Sequence, residues 1–592
     1  MTQISWRAFG EEAFADAQTK NKPVLLSVTA SWCQFCRNMD EQTYGNEAII
    51  QYINEHFVPV RVDSEQRPEI NTRYAMGGLP STGVLTPGGD VVWGGTFVPP
   101  DGMAQLLPQV LNSFHNDKKN LSQHLAQQRE QMQQQSQGPA LNPALQVTGE
   151  ITRVALLALK HHFDFAFGGF GREQKFVHPD AIALCLEQYA RSVRLEAPDP
   201  DLALILDRTL TAIVGGTLND TDAAGGFFRY TQTPDWRDPH HEKLLEDNAL
   251  VARTFAQAYQ ALGEERWRQT AERVLSYLDT TLYDAGRGVW YGSQAADPEF
   301  YAQPPAERAE WNPPSIDRTI FCGPNAQAAR AHVAWWQATG DTVALAKAER
   351  AVDFLLANHL RPDGALARFL PADAGEEVSS PVGLLGDMTD VAAACLDLYE
   401  AGRGTGYLDR AEALAVWVRG HLEDPRGGGL FDLPTAPDAI GNLKYPSKDL
   451  TDNMQMADVL LRLFLGTGDE EHARLAQRIL QAFLPALGQL GLFAAGLALA
   501  AERAVLPPIQ VHVIGAPGDP RTQALLAAAH RAYRFERFVQ PLDPANEDDA
   551  GYLEDLGYPT PDAPLAYVCV ATKCLEPTSD PTALTEMVRT AS

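Results

Sequence analysis

The sequence predicts a multidomain protein with an N-terminal α/β domain, a large all-α (α/α)6 toroid and a small C-terminal α/β segment. At 592 residues the chain is too long for a single hydrophobic core. Short apolar runs alternate with helical runs up to residue 116, and helical spacing with glycine-rich turns follows from about 146 to 505. Strand-like runs return after Pro507-Pro508. We therefore expect domains at 1–116, 146–505 and 506–592, joined by a linker at 117–145.

The charge of the chain excludes several classes of partner. It carries 76 acidic and 48 basic residues, a net charge of -28. Nucleic acid and anionic membranes are not expected as partners, because both require a basic surface. No apolar run reaches the roughly 18 residues that span a bilayer, and the N-terminus lacks the pattern of a secretory signal. We therefore expect a cytoplasmic protein. Its seven cysteines, an odd number, do not suggest a disulfide framework.

The first 116 residues read as alternating strands and helices. Strands are expected at 24–28 and 57–62, and a hairpin is expected around Pro87-Gly88-Gly89-Asp90. The glutamine-rich stretch at 121–139 has few large apolar side chains, so it is expected to be a linker or an exposed helix.

The all-α region repeats one kind of turn. Gly168-Gly169-Phe170, Gly225-Gly226-Phe227, Gly288-Val289-Trp290 and Gly428-Gly429-Leu430 each place an apolar residue after glycine. Gly169, Gly226 and Gly288 are 57 and 62 residues apart, which fits one helical hairpin plus a loop. About twelve helical segments are expected to begin near 147, 178, 201, 243, 264, 318, 341, 385, 406, 450, 469 and 490. Six hairpins favour a closed toroid, and an open helical solenoid is the competing structure.

The clearest chemical motif is Cys33-Gln34-Phe35-Cys36, which lies between a strand and a helix. A helix start favours the thiolate, so we expect a lowered pKa for Cys33 as nucleophile and a resolving role for Cys36. A zinc site and an inert pair are the alternatives. No second CxxC is present, because Cys569 and Cys574 have four residues between them, and no metal or other cofactor is expected.

The context of this motif favours a thioredoxin-like fold. Leu79-Pro80 precedes the hairpin, where thioredoxin folds hold a cis-proline beside the cysteines, so Pro80 is expected to be cis. Ser27 stands in the strand before the motif, where thioredoxins usually bury an aspartate. This departure weighs against efficient general disulfide reduction.

Several stretches resemble the thioredoxin-domain proteins of the spermatogenesis-associated protein 20 family. They are 61–70, 77–87, 94–100, 168–171 with Lys175-Phe176, 225–230, 239–248, 567–569 and Cys574, and they are spread over essentially the whole chain. The resemblance implies a thioredoxin-like domain joined to a toroid similar to sugar epimerases and six-hairpin glycosidases. The chain departs from the family at Gln34 and Arg37, where histidines are usual. It departs again at Gly323-Pro324-Asn325-Ala326, where the family has Trp-Asn-Gly.

Polar residues near the starts of the even-numbered, inner helices are the candidate pocket groups. They are His178, His240, His241, Glu242, Asp247, Asn248, Asp317, Arg318, Asn325, Asp387, Asp390, Asp452 and Asn453. Carboxylates that converge on one cleft can act as general acid and base, and paired histidines can do the same in epimerases of this shape. The alternative for each Asp or Asn is that it caps its helix.

Three functions fit these observations. The first is a thiol-disulfide redox or thiol-binding domain fused to an (α/α)6 domain with a carbohydrate-type pocket. A protein thiol and a sugar or other small polar ligand are then the expected partners. The second is a sugar epimerase or isomerase with a regulatory thioredoxin domain. The third is a non-catalytic interaction protein.

Overall fold

The N-terminal domain is a four-stranded sheet with helices on both faces. The protein is described by a computed structural model over residues 3–222, 225–372, 379–436, 438–559, 561–571 and 573–591. The elements of this domain are α1 (Glu11–Lys20), β1 (Val24–Thr29), α2 (Gln34–Gln42), α3 (Glu47–His56), β2 (Val58–Asp63), α4 (Pro68–Tyr74), β3 (Ser81–Leu85), β4 (Val91–Gly95) and α5 (Pro100–Asn116).

The strand order β2-β1-β3-β4 is that of a thioredoxin-like sheet. Strand β1 pairs parallel to β2 and antiparallel to β3, and five of its six residues are buried because helices cover both faces. The Leu79–Pro80 peptide bond is cis. The fold class inferred from the sequence is therefore correct for this domain.

The glutamine-rich stretch forms the helix α6 (Lys118–Gln137). Most of its described side chains are exposed, but Arg129 forms two 2.6 Å hydrogen bonds with Asp90 of the N-terminal domain. After the helix the chain runs along the toroid, where the Leu141 N–H donates to the Arg426 carbonyl at 2.9 Å. Of the two expected forms, an exposed helix is therefore the one observed, and it is followed by a segment that contacts the toroid.

The central region consists of paired helices and short strands. In chain order these are α7 (Glu150–His162), α8 (Pro179–Arg194), α9 (Pro200–Gly215), β5 (Lys243–Leu244), α10 (Leu245–Leu262), α11 (Glu265–Tyr277), the π-helix Leu278–Leu282, β6 (Tyr283–Asp284), β7 (Val289–Trp290), β8 (Ser293–Gln294), α12 (Pro298–Tyr301), β9 (Ile316–Asp317), β10 (Ile320–Phe321), α13 (Cys322–Thr339), α14 (Thr342–Asn358), β11 (Phe369–Leu370), α15 (Leu385–Glu400), α16 (Gly406–Leu422), α17 (Leu450–Thr467), α18 (Glu470–Phe483) and α19 (Ala494–Val505). Short 3-10 helices lie at Arg308–Glu310, Gly441–Lys444, Leu484–Gln489 and Gly491–Phe493.

Six of these helices form a closed inner ring. Helices α8, α10, α13, α15, α17 and α19 each contact the next, and α19 returns to contact α8. The inner helices are apolar on most faces, so that α13 buries 16 of its 18 residues. The fold is therefore a closed (α/α)6 toroid rather than an open solenoid. Pro324 lies in the first turn of α13, where its missing N–H breaks no helical hydrogen bond.

Asparagine amides fasten three of the glycine turns to the inner ring. Asn248 accepts a 2.7 Å hydrogen bond from the Phe227 N–H and donates to the Phe227 carbonyl at 3.0 Å. Asn325 holds Trp290 in the same way, and Asn453 holds Leu430. All three amides are completely buried. The expectation that these asparagines line a pocket is therefore wrong, because their polar atoms are used on the backbone.

Buried lysines provide a second fastening for these turns. Lys243 Nζ contacts Asp220 at 2.6 Å and donates to the Gly225 carbonyl at 2.7 Å. Lys175 and Lys448 make the equivalent contacts with Asp164 and Asp424. Because both fastenings join one hairpin to the next inner helix, they fix the position at which each inner helix begins.

The C-terminal segment forms a sheet at the opposite end of the toroid. Its elements are β12 (Ile509–Ile514), α20 (Pro520–Arg531), β13 (Arg537–Leu542), α21 (Glu547–Asp555), β14 (Leu565–Val570), β15 (Lys573–Cys574) and α22 (Pro581–Thr590). The order β13-β12-β14-β15, with β12 parallel to β13 and antiparallel to β14, repeats that of the N-terminal sheet. This segment is thus a second domain of thioredoxin topology, without cysteines at the start of α20.

Cys569 and Cys574 are joined by a disulfide across β14 and β15, and the other five cysteines are free. Among the described residues, no helix is long and apolar enough to cross a membrane.

Replacement of Asn248 by alanine should destabilise the toroid by about 3 kcal/mol, because it leaves the Phe227 backbone groups buried without partners. The midpoint of urea denaturation should fall accordingly. Asn358→Ala, at an exposed amide at the end of α14, is the matched control and should change the midpoint little. Equal effects of the two substitutions would mean that the Asn248 amide does not hold the turn.

Candidate active site

The two cysteines of the CxxC motif lie at the start of α2. Cys33 is the residue that caps the helix, and its Sγ accepts a 3.2 Å hydrogen bond from the Cys36 N–H. Both thiols are buried, with only 5% of Cys33 and 3% of Cys36 exposed. Leu79 of the same domain and Leu244 of the toroid pack against them. The dithiol therefore faces the toroid rather than bulk solvent.

The toroid holds this face of the N-terminal domain through several polar contacts. The Ser31 hydroxyl donates to Asp317 at 2.7 Å, and the Ala296 N–H donates to the Trp32 carbonyl at 3.2 Å. Arg37 donates to the Ala296 carbonyl. Asp317, predicted as a pocket group, is thus part of the interface between the two domains.

The thiols do not show the expected distribution of pKa. The pKa of Cys33 is raised, first by the hydrogen bond it shares with the Cys36 thiol and second by burial. The shared hydrogen bond lowers the pKa of Cys36. The expectation of a lowered pKa at Cys33 is therefore wrong for the docked domain, because the hydrogen bond with Cys36, followed by burial, opposes the effect of the helix start.

Asp63 is a carboxylate near this motif that the sequence analysis did not select. It lies at the end of β2, accepts a 3.2 Å hydrogen bond from the Ser31 N–H, and has a pKa raised to about 6 by burial. The position in β1 where thioredoxins usually have an aspartate is occupied by the uncharged Ser27. Asp63 instead places a carboxylate next to the loop that carries Cys33.

The two adjacent histidines have different surroundings. His240 stacks on Tyr230 and bonds its hydroxyl at 2.9 Å, and its Nδ1 lies 3.5 Å from Glu242. His241 stacks on Tyr301 and has a pKa lowered by burial. His240 and Glu242 therefore face the dithiol domain, whereas His241 packs within an aromatic cluster of the toroid.

Aromatic rings form a continuous ladder along the rim of the toroid. Phe35 of the CxxC motif lies 6.1 Å from His240, and the stack continues through Tyr230 to Phe176. His178 then follows at 6.1 Å from Phe176, and burial lowers its pKa to about 4. Phe35 and Phe176 are partly exposed. The ladder thus offers flat apolar faces between the dithiol and the mouth of the toroid.

Carboxylates gather where the inner helices begin. The acidic cluster consists of Glu242 and of further carboxylates whose charges act on one another. These are Glu65, Glu246, Asp247, Asp387, Asp390 and Asp452. Asp387 and Asp390 both approach Gly323, and Asp452 approaches Gly386. Two guanidinium groups, Arg229 and Arg368, lie among them. The structure therefore brings the predicted residues Glu242, Asp247, Asp390 and Asp452 into one acidic cluster.

Two members of this cluster, Glu65 and Glu246, were not among the residues predicted from the sequence. Glu65 belongs to the N-terminal domain, and its backbone carbonyl accepts a 3.0 Å hydrogen bond from Arg368. The predicted residue Asp387 accepts a 2.8 Å hydrogen bond from the same arginine. Glu246 is exposed within the mouth. The place of Glu246 in the first turn of an inner helix could have indicated it, whereas no sequence feature indicated Glu65.

The crowding of carboxylates raises their pKa values. Burial, followed by repulsion from Glu246, raises the pKa of Asp390 to about 8. Burial also raises the pKa of Asp247 to about 7, although Arg229 opposes the shift. The pKa of Asp452 is raised by burial and then by Asp449, which is the residue that caps α17. Carboxylic acids that keep a proton near neutral pH can act as general acids.

Two carboxylate oxygens in the cluster are left without a hydrogen-bond partner. Oδ2 of Asp247 and Oδ2 of Asp387 are buried and have no hydrogen-bond partner among the described residues. Buried polar atoms normally have a hydrogen-bond partner, so two carboxylate oxygens without one, in the same cluster, mark a candidate binding site.

Arg229 connects the acidic cluster to the dithiol. Its guanidinium lies 4.7 Å from the centre of the Trp32 ring and 3.9 Å from Glu242. It also acts electrostatically on Asp247 and Glu246. Arg229 therefore contacts both the loop that carries the dithiol and the carboxylates of the mouth.

The described residues contain one group with the geometry of a metal site, formed by Glu412, Asp469 and His472. It lies on the outer helices α16 and α18, away from the predicted residues, and none of the candidate pocket groups belongs to it.

Comparison with known proteins places these features in context. Residues 1–135 match the family Thioredox_DsbH, described as a protein of unknown function, DUF255. The chain resembles this family along its N-terminal quarter. It is also 30% identical over 321 residues to spermatogenesis-associated protein 20 of Homo sapiens, which covers 52% of this chain and 41% of that protein. The chain thus spans about two fifths of the length of this relative.

A shorter match and two solved structures complete the comparison. Sixty-three residues are 38% identical to the thiol:disulfide interchange protein DsbD of Campylobacter jejuni, covering 10% of this chain and 11% of that one. A D-mannose isomerase aligns over 58% of this chain and 88% of its own, with 14% identity and a TM-score of 0.46. A cellobiose 2-epimerase from Spirochaeta thermophila aligns over 61% and 98%, with 14% identity and a TM-score of 0.47.

Asp390→Asn should make the protein less sensitive to rising pH. The folded-state pKa of Asp390, about 8, lies above its ordinary value of 3.8, so the folded state holds a proton that the unfolded state loses between these pH values. Stability should therefore fall from pH 5 to pH 8, and the variant should be more stable than the wild type by about 1 to 3 kcal/mol at pH 8 but not at pH 4.

Melting temperatures measured from pH 4 to pH 8.5 test this expectation. Asp409→Asn, at an exposed position of α16, is the control and should follow the wild-type curve. Parallel curves for wild type and Asp390→Asn would show that Asp390 is ionised in the folded protein.

Loosening the domain contact should expose Cys33. Arg73 forms a bidentate ion pair with Asp432 at 2.8 and 3.0 Å, so Arg73→Ala should let the N-terminal domain open more often. Alkylation of Cys33 by iodoacetamide, followed by mass spectrometry, should become about tenfold faster or more. Cys185 and Cys395, buried within the toroid, should show unchanged rates, and so should Cys33 in the control Arg474→Ala. An unchanged rate for Cys33 in Arg73→Ala would mean that docking does not limit access to the thiol.

Proposed function

We propose that the protein is an enzyme acting on a small polyhydroxylated molecule of the carbohydrate type, with carboxylic acids in the toroid mouth as general acid and base. The observation that carries this proposal is the acidic cluster, in which the pKa of Asp247 is raised to about 7 and that of Asp390 to about 8. Side chains with such values exchange protons readily at neutral pH.

The surroundings of the cluster support a sugar-like ligand. The unpaired oxygens of Asp247 and Asp387 can accept hydrogen bonds from hydroxyl groups. The partly exposed rings of Phe35 and Phe176 offer apolar faces on the same rim, and such faces pack against the C–H groups of a sugar ring. Polar groups that converge beside aromatic surface are typical of small-molecule sites.

The dithiol contributes a second chemistry at the same mouth. In this proposal Cys33 gives up its proton as its sulfur attacks a disulfide-bearing partner; a mixed disulfide forms, and the released partner sulfur takes the proton and leaves as a thiol. Cys36 then displaces the second partner thiol and closes a Cys33–Cys36 disulfide, so that the partner gains the two electrons that the dithiol loses. The local similarity to a protein named as a thiol:disulfide interchange protein supports this role.

Burial of the dithiol determines which partners can react. A protein thiol partner reaches Cys33 only after the contacts at Ser31, Arg37 and Trp32 open. The dithiol state is therefore proposed to regulate access to the acidic cluster through Arg229, which contacts Glu242 of the cluster and Trp32, the residue before Cys33.

A second candidate function is supported by the same burial. With 5% and 3% of the two cysteines exposed, the N-terminal domain can serve as a non-catalytic cover for a binding cleft. Equilibration of the dithiol with mixtures of reduced and oxidised glutathione separates the two roles. A redox pair will give a measurable reduction potential with a Cys33–Cys36 disulfide as product, whereas a structural cover will remain reduced.

A panel of sugars tested by thermal shift examines the enzyme proposal directly. At least one sugar should raise the melting temperature of the wild type, and Asp247→Asn should abolish that shift while changing the basal stability little. Product formation from the stabilising sugar, followed by NMR, should be lost in both Asp247→Asn and Asp390→Asn.

Asp409→Asn is the matched control for charge removal and should retain both binding and turnover. If no sugar stabilises the wild type, or if Asp247→Asn binds the sugar as tightly as the wild type does, the cleft is not a carbohydrate site.

A further inference from the structure

A chamber lies along the axis of the toroid and extends below the acidic cluster. It has a volume of about 200 Å³ and is lined by all six inner helices, from Asp180 in the first turn of α8 to Glu400 at the end of α15, and by the segment 533–537 of the C-terminal domain. Arg253, Arg330 and Asp458 belong to the third turn of their inner helices, whereas Asp247 and Asp452 belong to the first. At 1.5 Å per residue these third-turn side chains therefore begin roughly 10 Å below the first turns that carry the acidic mouth.

The chamber is rich in arginine. Its charged lining residues are Arg253, Arg330, Arg462, Arg503, Arg534 and Arg537, together with Asp180, Asp397, Glu400 and Asp458. Six guanidinium groups thus face four carboxylates. A cationic excess inside a protein is unfavourable unless it is neutralised, because the surroundings screen charge poorly.

Four of the six arginines have a carboxylate partner. Arg330 and Arg462 contact Asp397 at 2.9 and 2.8 Å, and Arg462 also contacts Glu400 at 2.6 Å. Arg503 pairs with Asp458, and Arg534 pairs with Glu536 at 2.8 Å. These contacts account for three of the four carboxylates in the lining.

Arg253 and Arg537 lack such a partner among the described residues. Arg253 makes one 3.4 Å hydrogen bond, to the Gln327 side chain. Arg537 donates only to the carbonyls of His530 and Ala532. Burial lowers the pKa of each guanidinium to about 10, and Arg330 contributes to the shift at Arg253. The remaining carboxylate, Asp180, acts on Arg253 at a distance, and burial raises its own pKa.

Two arginine N–H groups of the chamber also lack an acceptor. Nη1 of Arg503 and Nε of Arg537 are buried and have no hydrogen-bond partner among the described residues. We infer that the chamber is a binding site for a small oxyanion, namely phosphate or the phosphate group of a small ligand, held by Arg253, Arg503 and Arg537. Guanidinium groups bind phosphate oxygens through parallel N–H donors, and the volume accommodates a tetrahedral oxyanion.

Gln327 separates this site from the acidic mouth. Its amide nitrogen donates to Asp390, and its amide oxygen accepts from Arg253. One side chain therefore stands between a layer of carboxylates above and a layer of arginines below. The inference concerns the lower layer and does not depend on the chemistry proposed for the upper one.

Thermal unfolding of the full-length protein tests the inference. Sodium phosphate should raise the melting temperature by about 2 to 4 °C over sodium chloride of equal ionic strength, since the anion binds only the folded state. Arg253→Gln should abolish this difference. Arg474→Gln, at an exposed arginine of α18, is the control and should keep it.

A second measurement separates a ligand site from a structural arginine. In phosphate-free buffer, Arg253→Gln should be at least as stable as the wild type, because it removes a buried cation that has no carboxylate partner. A loss of stability in that buffer, or an equal response of wild type and Arg253→Gln to phosphate, would overturn the inference.

Isothermal titration distinguishes the two sources of the oxyanion. Saturable binding of inorganic phosphate that is lost in Arg253→Gln supports a site for the free ion. Tighter binding of a hexose 6-phosphate, also lost in Arg253→Gln, supports a site for the phosphate group of a larger ligand. Absence of binding by both probes overturns the inference.

Discussion

Closure of the inner helix ring is the constraint on which the rest of the structure depends. Six helices that each contact the next must place their first turns around one mouth. Acidic residues in those turns, such as Asp247, Asp387 and Asp452, are then brought together although they lie far apart in the chain. Burial, followed by their mutual repulsion, raises the pKa of Asp247 and Asp390, and this is the origin of the proposed acid–base chemistry.

The position of the inner helices is itself fixed by local polar contacts. Asn248, Asn325 and Asn453 are each the fourth residue of an inner helix, and each binds the backbone of the preceding turn. Since these amides are completely buried, their hydrogen bonds define how far each helix projects toward the mouth. These three asparagine amides thus set the geometry of the acidic cluster but are not part of it.

Two domains of thioredoxin topology close the two ends of the toroid. The N-terminal domain covers the mouth and supplies the dithiol, Glu65 and the Trp32 face that contacts Arg229. The C-terminal domain covers the far end, where His530 bonds the Glu400 carbonyl at 2.9 Å and Arg531 bonds the Ala338 carbonyl at 2.7 Å. The axial space is therefore bounded by carboxylates at one end and arginines at the other.

The sequence by itself determined the domain order, the thioredoxin-like character of the first domain and the paired-helix pattern, because these follow from local periodicity and from glycine turns. The inner helices begin at 179, 245, 322, 385, 450 and 494, each within about four residues of the positions expected from the pattern. The sequence also pointed to Glu242, Asp247, Asp390 and Asp452.

Only the tertiary structure decided which polar residues share a site. Asn248 and Asp247 are neighbours in the chain, yet one holds a buried turn and the other lies in the mouth. The hydrogen bond with Cys36, followed by burial, raised the pKa of Cys33 against the effect of its helix position, and Glu65 joined the cluster from another domain. Local pattern determines helices and turns, whereas burial and contact between distant segments set the charge and access of each side chain.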